Sequence, residues 1–515
     1  MPGTPFPLGP WSGGMADVAE EATIADDELS LVVNMEQDID GSLVSRPAII
    51  VDSTGPTGIG SDLDIKPLGY YVRDDGVTFL VAAVSTYTYL YNIDTKVWTQ
   101  IWTTAASGFV QYDNKVVLIS TTVAGGYWEA GSFTSTPTMP LGQQIVFYQD
   151  RFWAFGARGT GDATTVWFSK LTVISPPSSI FTWATSTDFF TVSEGDGEWI
   201  TALVPDTSAL LIFRNSSTYQ FTFPSAPASG TLRVLSKTIG TENQWSIVAY
   251  ESYYLAFSAG FLYQFINYRF YPLNVKKIAF KRTTLANPVQ YDIRVSIFGR
   301  RVMVWFYGSL YVYKLVTSTW SMWDSPLTRA GHFLTIPPSS LSGESRSALA
   351  VTGENNSSLK SLYRVEEEVL GTGSGELMTC HIRTKSYNFG EPAQYKRLMW
   401  WSIESRSSTG VEAIAHPAAL PDGGTTWNDM EGEPWSSFGT WNNPLIQPVT
   451  YVDDVAFPTA APTSTVTKIR TAIRFLGLLF EVFIDTYGTS ATGPVRIYGI
   501  TPYLLVEAGV SRKVS

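Results

Sequence analysis

The 515-residue chain is poor in the residues on which many enzymes depend, with one cysteine and three histidines. The single Cys380 excludes an intrachain disulfide and a cysteine-based zinc site, and is typical of a protein that folds in a reducing cytoplasm. His332, His381 and His416 are far apart and have no HExxH-like spacing. We therefore predict no metal ion, no cofactor and no catalytic residues.

Basic residues and long apolar runs are also scarce. With 35 Lys and Arg against 46 Asp and Glu, the formal charge of -11 argues against a surface that binds nucleic acid specifically. An acidic surface is nevertheless compatible with a conduit through which DNA passes without sticking. The most apolar run, 475–484, is far shorter than the ~18 residues that span a bilayer, and residues 1–11 lack the features of a signal peptide. We expect a soluble protein without a membrane-spanning segment.

Aromatic residues, by contrast, are abundant. They make up 14% of the chain within a hydrophobic content of 44%, and Gly and Pro occur throughout. Val and Thr are frequent as well. This usage is typical of β-strands joined by tight turns and predicts an all-β protein.

One sequence pattern occurs twice, at Leu90–Trp98 and at Val312–Trp320. Both copies have an aliphatic residue, then Tyr, Ile or Leu, Thr and Trp at matching positions. The copies are 222 residues apart, which is about five units of 44 residues, and a four-stranded propeller blade has roughly 40–50 residues. Recurring pairs of apolar strands fill the interval. We therefore predict a β-propeller of six or seven blades over residues 68–370, with its aromatic residues packed between blades.

Residues 1–67 are expected to form an extended N-terminal arm. Acids at Asp26–Glu28, followed by apolar Leu29, Val32 and Val33, predict a short helix. Residues 34–46 predict a hairpin that turns at Asp38–Gly41.

The order of these N-terminal motifs resembles the opening of propeller-type virion proteins of tailed bacteriophages, either minor tail proteins or tail nozzle proteins. The similarity is carried by ten residues spread over about 40 positions: Trp11, Gly13, Gly14, Asp27, Leu29, Asn34, Asp40, Gly41, Arg46 and Pro47. A second stretch, Thr384–Trp401, is similar to the openings of the C-terminal domains of the same proteins. The Gly-rich linker 370–375 precedes it, and alternating strands within 371–515 predict a C-terminal β-sandwich.

Three patterns could carry chemistry. Asp422, Gly424, Thr426 and Trp427 match part of an Asp box, which is chiefly a turn-stabilising element and could alternatively belong to a glycan site. The acidic loop 194–198 could hold a cation, although a charged turn is the commoner interpretation. A pair of glycosidase carboxylates is a further alternative, because propeller glycosidases take them from distant blades. Asp113, Asp150 and Asp292 lie next to strand turns, where a solvated surface acid is the ordinary interpretation.

The resemblance implies a non-enzymatic structural component of a phage tail, made in the host cytoplasm and assembled into the virion. Its partners would be other tail proteins and further copies of itself, in a ring of three or six. The expected contacts are Trp11, Gly13, Gly14, Leu29, Asn34 and Arg46, with Trp11 and Leu29 buried against a partner. The alternative is a virion propeller that binds a glycan or receptor, or acts on carbohydrate.

Overall fold

A computed structural model gives the fold of the chain. It describes residues 4–16, 24–25, 27–53, 55–57, 65–156, 162–171, 179–192, 197–224, 226–273, 278, 293–306, 309–323, 333–336, 348–353, 361–366, 379–385, 387, 389, 396–406, 411–419, 455–456, 465–475, 478–486 and 496–506. These ranges contain forty β-strands and two 3-10 turns, Ser179–Phe181 and Pro227–Ser229, but no α-helix. None of their helical segments could cross a membrane. The predicted all-β class is confirmed.

Six short strands open the chain. They are β1 (Thr4–Pro5), β2 (Gly14–Met15), β3 (Glu28–Val33), β4 (Met35–Gln37), β5 (Leu43–Ser45) and β6 (Ala48–Ser53).

Twenty-seven strands follow, and they form seven successive antiparallel units. Blade 1 has β7 (Ile65–Val72), β8 (Thr78–Val84), β9 (Tyr87–Asn92) and β10 (Trp98–Trp102); blade 2 has β11 (Gly108–Tyr112), β12 (Lys115–Ile119), β13 (Gly126–Glu129) and β14 (Ser132–Ser135); blade 3 has β15 (Gln144–Tyr148), β16 (Arg151–Phe155), β17 (Thr165–Phe168) and β18 (Phe189–Thr191). Blade 4 has β19 (Ile200–Pro205), β20 (Leu210–Arg214), β21 (Thr218–Thr222) and β22 (Thr231–Ser236); blade 5 has β23 (Ile247–Tyr250), β24 (Tyr253–Ser258), β25 (Phe261–Ile266) and β26 (Arg269–Pro272). Blade 6 has β27 (Arg294–Phe298), β28 (Arg301–Phe306), β29 (Ser309–Lys314) and β30 (Thr319–Trp323); blade 7 has β31 (Phe333–Ile336), β32 (Ala348–Gly353) and β33 (Ser361–Glu366).

Blade 7 takes its fourth, outermost strand from the N-terminal segment. Strand β6 pairs antiparallel with β33, so that this sheet has the order β31-β32-β33-β6. Strand β31 in turn contacts β7 of blade 1. The blades therefore close into a seven-bladed propeller, the higher of the two predicted counts.

Seven hydrophobic clusters lie between neighbouring blades, one at each interface of the ring. The cluster between blades 3 and 4, for example, joins Trp153 and Phe155 to Ile212 and Phe221. The remaining six link blades 1–2, 2–3, 4–5, 5–6, 6–7 and 7–1. Each blade is apolar on both faces, and each face packs against a neighbouring blade, which explains the abundance of aromatic residues.

In blades 2 and 5 the outer strand is the most exposed of the four, whereas the outer strand β30 of blade 6 is buried beside β3. All five residues of β16 and of β20 are buried, whereas β14 and β26 each have three exposed residues out of four. A strand covered on both faces needs a continuous apolar run, so the middle strands lack polar alternation.

Seven further strands form the C-terminal domain: β34 (Thr379–Thr384), β35 (Lys396–Arg406), β36 (Val411–Ala419), β37 (Val455–Ala456), β38 (Thr465–Phe475), β39 (Leu478–Thr486) and β40 (Arg496–Val506). They are divided between two sheets, as a β-sandwich requires. One has the order β38-β35-β40-β5-β4, with β1 also on β40. The other has the order β3-β34-β39-β36-β37, and β3 also adjoins β30 of blade 6. Propeller and sandwich thus share one ten-stranded sheet.

The N-terminal segment is extended, but its strands belong to the sheets of this chain. The predicted hairpin is present, since Met35 pairs with Ser45, and Gly41, at φ +81°, closes its turn. The predicted helix is wrong, because Glu28–Val33 is strand β3. A register shift between Leu29 and Leu31 buries Leu29 and Val32, and that three-residue spacing imitates a helical face.

Candidate functional site

The six predicted contact residues come together where the N-terminal segment crosses blade 6. Trp11 and Leu29 are both fully buried, in the same cluster as Tyr313 and Trp320. Their burial takes place within the chain, not against a partner. We call this region the junction, defined by β2, β3, the hairpin β4–β5 and strands β28–β30 of blade 6.

The two adjacent glycines let β2 approach closely. Gly14 has φ +71°, and a Cβ there would lie 2.6 Å from Cβ of Thr319 on β30. A Cβ on Gly13 would overlap the Glu28 side chain, and the Gly13 amide donates to the carbonyl of Asp27 at 2.8 Å. Both positions therefore require glycine for packing inside the chain.

Asn34 and Arg46 fasten the hairpin to the outer strand of blade 6. The Asn34 amide donates to the carbonyl of Met322 at 2.8 Å, and its side-chain oxygen accepts from Arg46 Nε at 2.8 Å. The Arg46 guanidinium is buried 5.8 Å from the ring centroid of Trp323. A buried charge of this kind needs such partners, because desolvation would otherwise be costly.

Charged side chains around the hairpin extend the junction. Arg301 Nε donates to both carboxylate oxygens of Glu36, at 2.7 and 2.9 Å, and Glu36 is buried. Lys314 Nζ donates to the carbonyl of Gln37 at 2.6 Å, and burial lowers the pKa of Lys314 against the opposing pull of Glu36 and Asp38. These bonds bind the hairpin to strands β28 and β29.

Asp38 links the same hairpin to the sandwich. Its carboxylate accepts from Arg496 of β40 at 2.7 Å. Burial alone would raise the pKa of Asp38, but the Ile39 amide and the Arg496 guanidinium hold that pKa below its ordinary value. The hairpin therefore has charged contacts to both domains, and the junction fixes them to each other.

Ring closure depends on a second polar cluster, around Asp52 of β6. The buried Asp52 carboxylate accepts from the Tyr91 hydroxyl at 2.7 Å and from Lys96 Nζ at 2.6 Å. Burial and the nearby carboxylate raise the pKa of Tyr91, so its hydroxyl stays a donor. The Trp98 indole donates to Ser53 Oγ at 2.9 Å. Blade 1 thus holds the N-terminal strand that completes blade 7.

The two copies of the repeated pattern adopt the same geometry in blades 1 and 6, five blades apart. The ring centroids of Tyr91 and Trp98 are 4.7 Å apart, and those of Tyr313 and Trp320 are 4.9 Å apart. In each copy the residue two before the tryptophan has positive φ, 61° and 56°. Trp320 is buried as predicted, whereas Trp98 is only half-buried. The pattern is therefore a structural element of the blade.

The patterns that could carry chemistry receive little support from the described residues. Asp422, Gly424, Thr426 and Trp427 lie outside them, as do Glu194, Asp196, Asp292 and His332. Within the acidic loop, Glu198 is described, and its carboxylate accepts from Ser217 at 2.6 Å and pairs with buried Arg214 at 3.3 Å. No group of three metal-ligating side chains occurs in the part of the chain that the structure describes.

Sequence reasoning missed the residues that make most of these contacts. Asp52, Glu36 and Arg301 carry no local pattern, and Glu36 and Arg301 are 265 positions apart. The sequence predicts the hairpin over residues 34–46, but not its attachment to Met322 and Trp323. Only knowledge of which strands are neighbours could have revealed these partners.

Comparisons with known proteins add little to the geometry. No family model matches the chain, and no curated protein matches it significantly in sequence. Among solved structures it is similar to the AfRom2 CNH domain, at 7% identity over 62% of this chain and 99% of that one, with a TM-score of 0.40. It is also similar to the WD40 β-propeller domain of Doa1, at 6% identity over 62% of this chain and 96% of that one, with a TM-score of 0.40. A third similar structure is YCF48 from Cyanidioschyzon merolae, at 12% identity over 62% of this chain and 98% of that one, with a TM-score of 0.38.

Proposed function

We propose that the protein is a non-enzymatic structural component of a bacteriophage tail. The resemblance of residues 11–47 to propeller-type virion proteins motivates the proposal. The observation that carries it is the ten-stranded sheet, in which β3 joins blade 6 to the sandwich. Two domains fixed in one sheet form a rigid body, which suits a part that sets the spacing between neighbouring tail proteins.

The contact surface differs from the one expected from sequence. Because the junction residues are buried within the chain, contacts to other subunits would use the outer edges of blades 1–5. In the described part of the chain, β10, β14, β18, β22 and β26 each pair with only one strand. An open edge can accept a further strand, and β3 already adds to the edge of β30 in this way. We propose a ring of three or six copies, with other tail proteins as partners.

The test is the mass of the full-length chain in solution, alone and mixed with the products of neighbouring genes. We expect a trimer or hexamer, or a complex with the product of a neighbouring gene. Electron microscopy of virions should locate the chain in the tail. Removing residues 1–50 would take five strands out of the chain's own sheets, so point variants are the sharper tool. Tyr271→Lys on β26 should weaken assembly, whereas Tyr70→Lys on the inner strand β7 is the control.

Tyr70 and Tyr271 are 43% and 47% exposed, so the two variants place the same charge at similar exposure. Thr134→Lys on β14 tests a second edge in the same way. A chain that stays monomeric under all conditions, and that is missing from purified virions, would contradict the proposal. A gene whose neighbours encode tape-measure, tail-tube or portal proteins would support it.

A glycan- or receptor-binding propeller is the second candidate. One observation favours it: blade 5 exposes the aromatic side chains of Phe261 and Tyr271, at 41% and 47%. Aromatic faces on a surface are what sugars stack on. Saturable binding on a glycan array or to cell walls, lost in Tyr271→Ala or in Trp427→Ala, would favour this function over the first.

A further inference from the structure

One sheet of the C-terminal sandwich, β38-β35-β40, has an outer face that the burial of β40 identifies. Along β40, Ile500 and Leu504 are buried in the core, whereas Thr501 and Tyr503 are half-buried and belong to the opposite face. Leu505, two residues after Tyr503, continues this outer face. Residues that pair directly across neighbouring strands share a face of the sheet. The register of β38 and β35 with β40 therefore assigns their residues to one face or the other.

Three successive rows of the outer face contain four basic residues and no acidic residue. Across β38, β35 and β40, the register aligns Arg474 with Arg397 and Leu505, Arg470 with Trp400 and Tyr503, and Lys468 with Ser402 and Thr501. We call these three rows the basic face; the next row contains Glu404 and ends it. Acidic residues outnumber basic ones in the chain, 46 to 35, so composition does not account for a patch of this sign.

Two basic residues elsewhere in the sandwich have acidic neighbours. Arg496, at the other end of β40, donates to the carboxylate of Asp38 at 2.7 Å. In the second sheet, the register aligns Arg383 with Glu481. On the basic face, by contrast, Arg397 pairs directly with Arg474, and like charges in that arrangement destabilise a sheet. An anion bound across this pair would offset the repulsion.

The middle row of the basic face indicates the kind of anion. Trp400 and Tyr503 lie in the same row as Arg470, between the rows that contain the other basic residues. Aromatic residues among basic ones are typical of surfaces that bind single-stranded nucleic acid, because bases stack on aromatic rings while phosphates pair with the cations. The bases of a duplex are stacked inside it and cannot reach a sheet in this way. An acidic protein segment would use the cations but not the aromatic residues.

We propose that the basic face binds a single-stranded nucleic acid without sequence preference. The phosphates of the strand pair with the four basic residues, and a base stacks on Trp400. Binding of this kind needs only phosphate charges and an aromatic ring, so it agrees with the net charge of -11, which argues against specific recognition. The activity is separate from the proposed tail function and does not depend on it.

The test measures binding of a fluorescein-labelled oligothymidylate of about 15 nucleotides to the full-length protein, by fluorescence anisotropy. Between about 50 and 200 mM salt, the logarithm of the binding constant should fall linearly with the logarithm of the salt concentration, with a slope of about -3 for four phosphate contacts. Arg470→Gln removes one contact and should make that slope less steep by about 0.7. Trp400→Leu should weaken binding about 5- to 150-fold, as the loss of base stacking predicts.

Arg233→Gln is the matched control, because Arg233 is exposed on β22 of blade 4 and the variant removes the same charge away from the basic face. It should leave the affinity and the slope unchanged. Inorganic polyphosphate and polyglutamate, which have no bases, should compete only weakly. If Trp400→Leu does not fold, the slope in Arg470→Gln and the competitors decide. Absence of saturable binding, an unchanged slope in Arg470→Gln, or a competitor as effective as unlabelled oligothymidylate would each overturn the proposal.

Discussion

Replacement of Asp52 by alanine should open the propeller ring at blade 7. Asp52 lies on β6, the strand that reaches blade 7 from the N-terminal segment, and its side chain is 7% exposed. The variant removes the acceptor of the Tyr91 hydroxyl, the partner of Lys96 and the partner, at 3.7 Å, of Arg364 on β33. It leaves the backbone pairing of β6 with β33 in place. The change therefore isolates the polar contribution to ring closure.

The structure sets the size of the effect. A hydrogen bond to a charged group in a buried site contributes about 1.5–3 kcal/mol, and Tyr91 is 1% exposed. Lys96 is 39% exposed, so solvent screening limits its ion pair with Asp52 to about 0–1 kcal/mol. Together the loss is about 1.5–4 kcal/mol, which is a roughly 10- to 900-fold increase in the population of the open state.

Hydrogen exchange measured by mass spectrometry is the appropriate assay, because a chain with two domains does not unfold in one step. Amides of β6 and β33 should exchange about 10- to 900-fold faster in Asp52→Ala, while those of blades 3 and 4 stay unchanged. Tyr91→Phe removes the donor of the same hydrogen bond. Combined with Asp52→Ala, it should not increase the exchange rate of these amides any further. The control is Asp75→Ala, whose ion pair with Arg73 is exposed on blade 1. Equal exchange in Asp52→Ala and the control would refute this account.

Three further predictions concern stability. Glu36→Ala removes the buried partner of Arg301 and should cost about 3–5 kcal/mol. Calorimetry should show the propeller and sandwich transitions farther apart in temperature than in the unaltered protein, and Glu36→Gln should separate them less. Trp320→Ala should lower the free energy of unfolding by about 3–5 kcal/mol, and Trp98→Ala should lower it clearly less because Trp98 is only half-buried. Denaturant midpoints measure both losses, and equal losses would contradict the packing described. Burial, reinforced by the adjacent positive charge on Arg383, lowers the pKa of His381 to about 4, below the ~6.5 of the unfolded chain. The stability from neutral His381 is therefore complete above pH ~6.5 and lost as the pH falls toward 4, by up to about 3 kcal/mol, and His381→Gln should flatten that dependence.

The propeller could be predicted from sequence because each blade is built from local patterns. Two copies of a Tyr and Trp pattern, 222 residues apart, identify equivalent strands in blades 1 and 6, since each Tyr–Trp pair forms within one hairpin. The strands of the C-terminal domain alternate between apolar and polar residues, and β34–β40 all lie within the predicted range 371–515. Patterns of this kind depend only on neighbours along the chain.

The path of the N-terminal segment could not be predicted in the same way. Leu29 and Val32 show helical spacing because of a bulge that depends on pairing with β34, more than 340 residues away. The sequence predicts that Trp11 is buried, but it does not say whether a partner or the same chain covers that side chain. Long-range pairing decided both cases, as tertiary context commonly overrides local preference.

The origin of β6 has a consequence for how the protein is made. The ribosome produces this strand early, yet its partner β33 is complete only at Glu366. At about 5–20 residues per second, β6 waits roughly 15–60 s for that partner during synthesis. Throughout this interval it has an unpaired edge, and so does β3, which awaits blade 6 and then β34. Blades 1–5 can form during translation, whereas the ring stays an open arc until nearly three quarters of the chain has emerged.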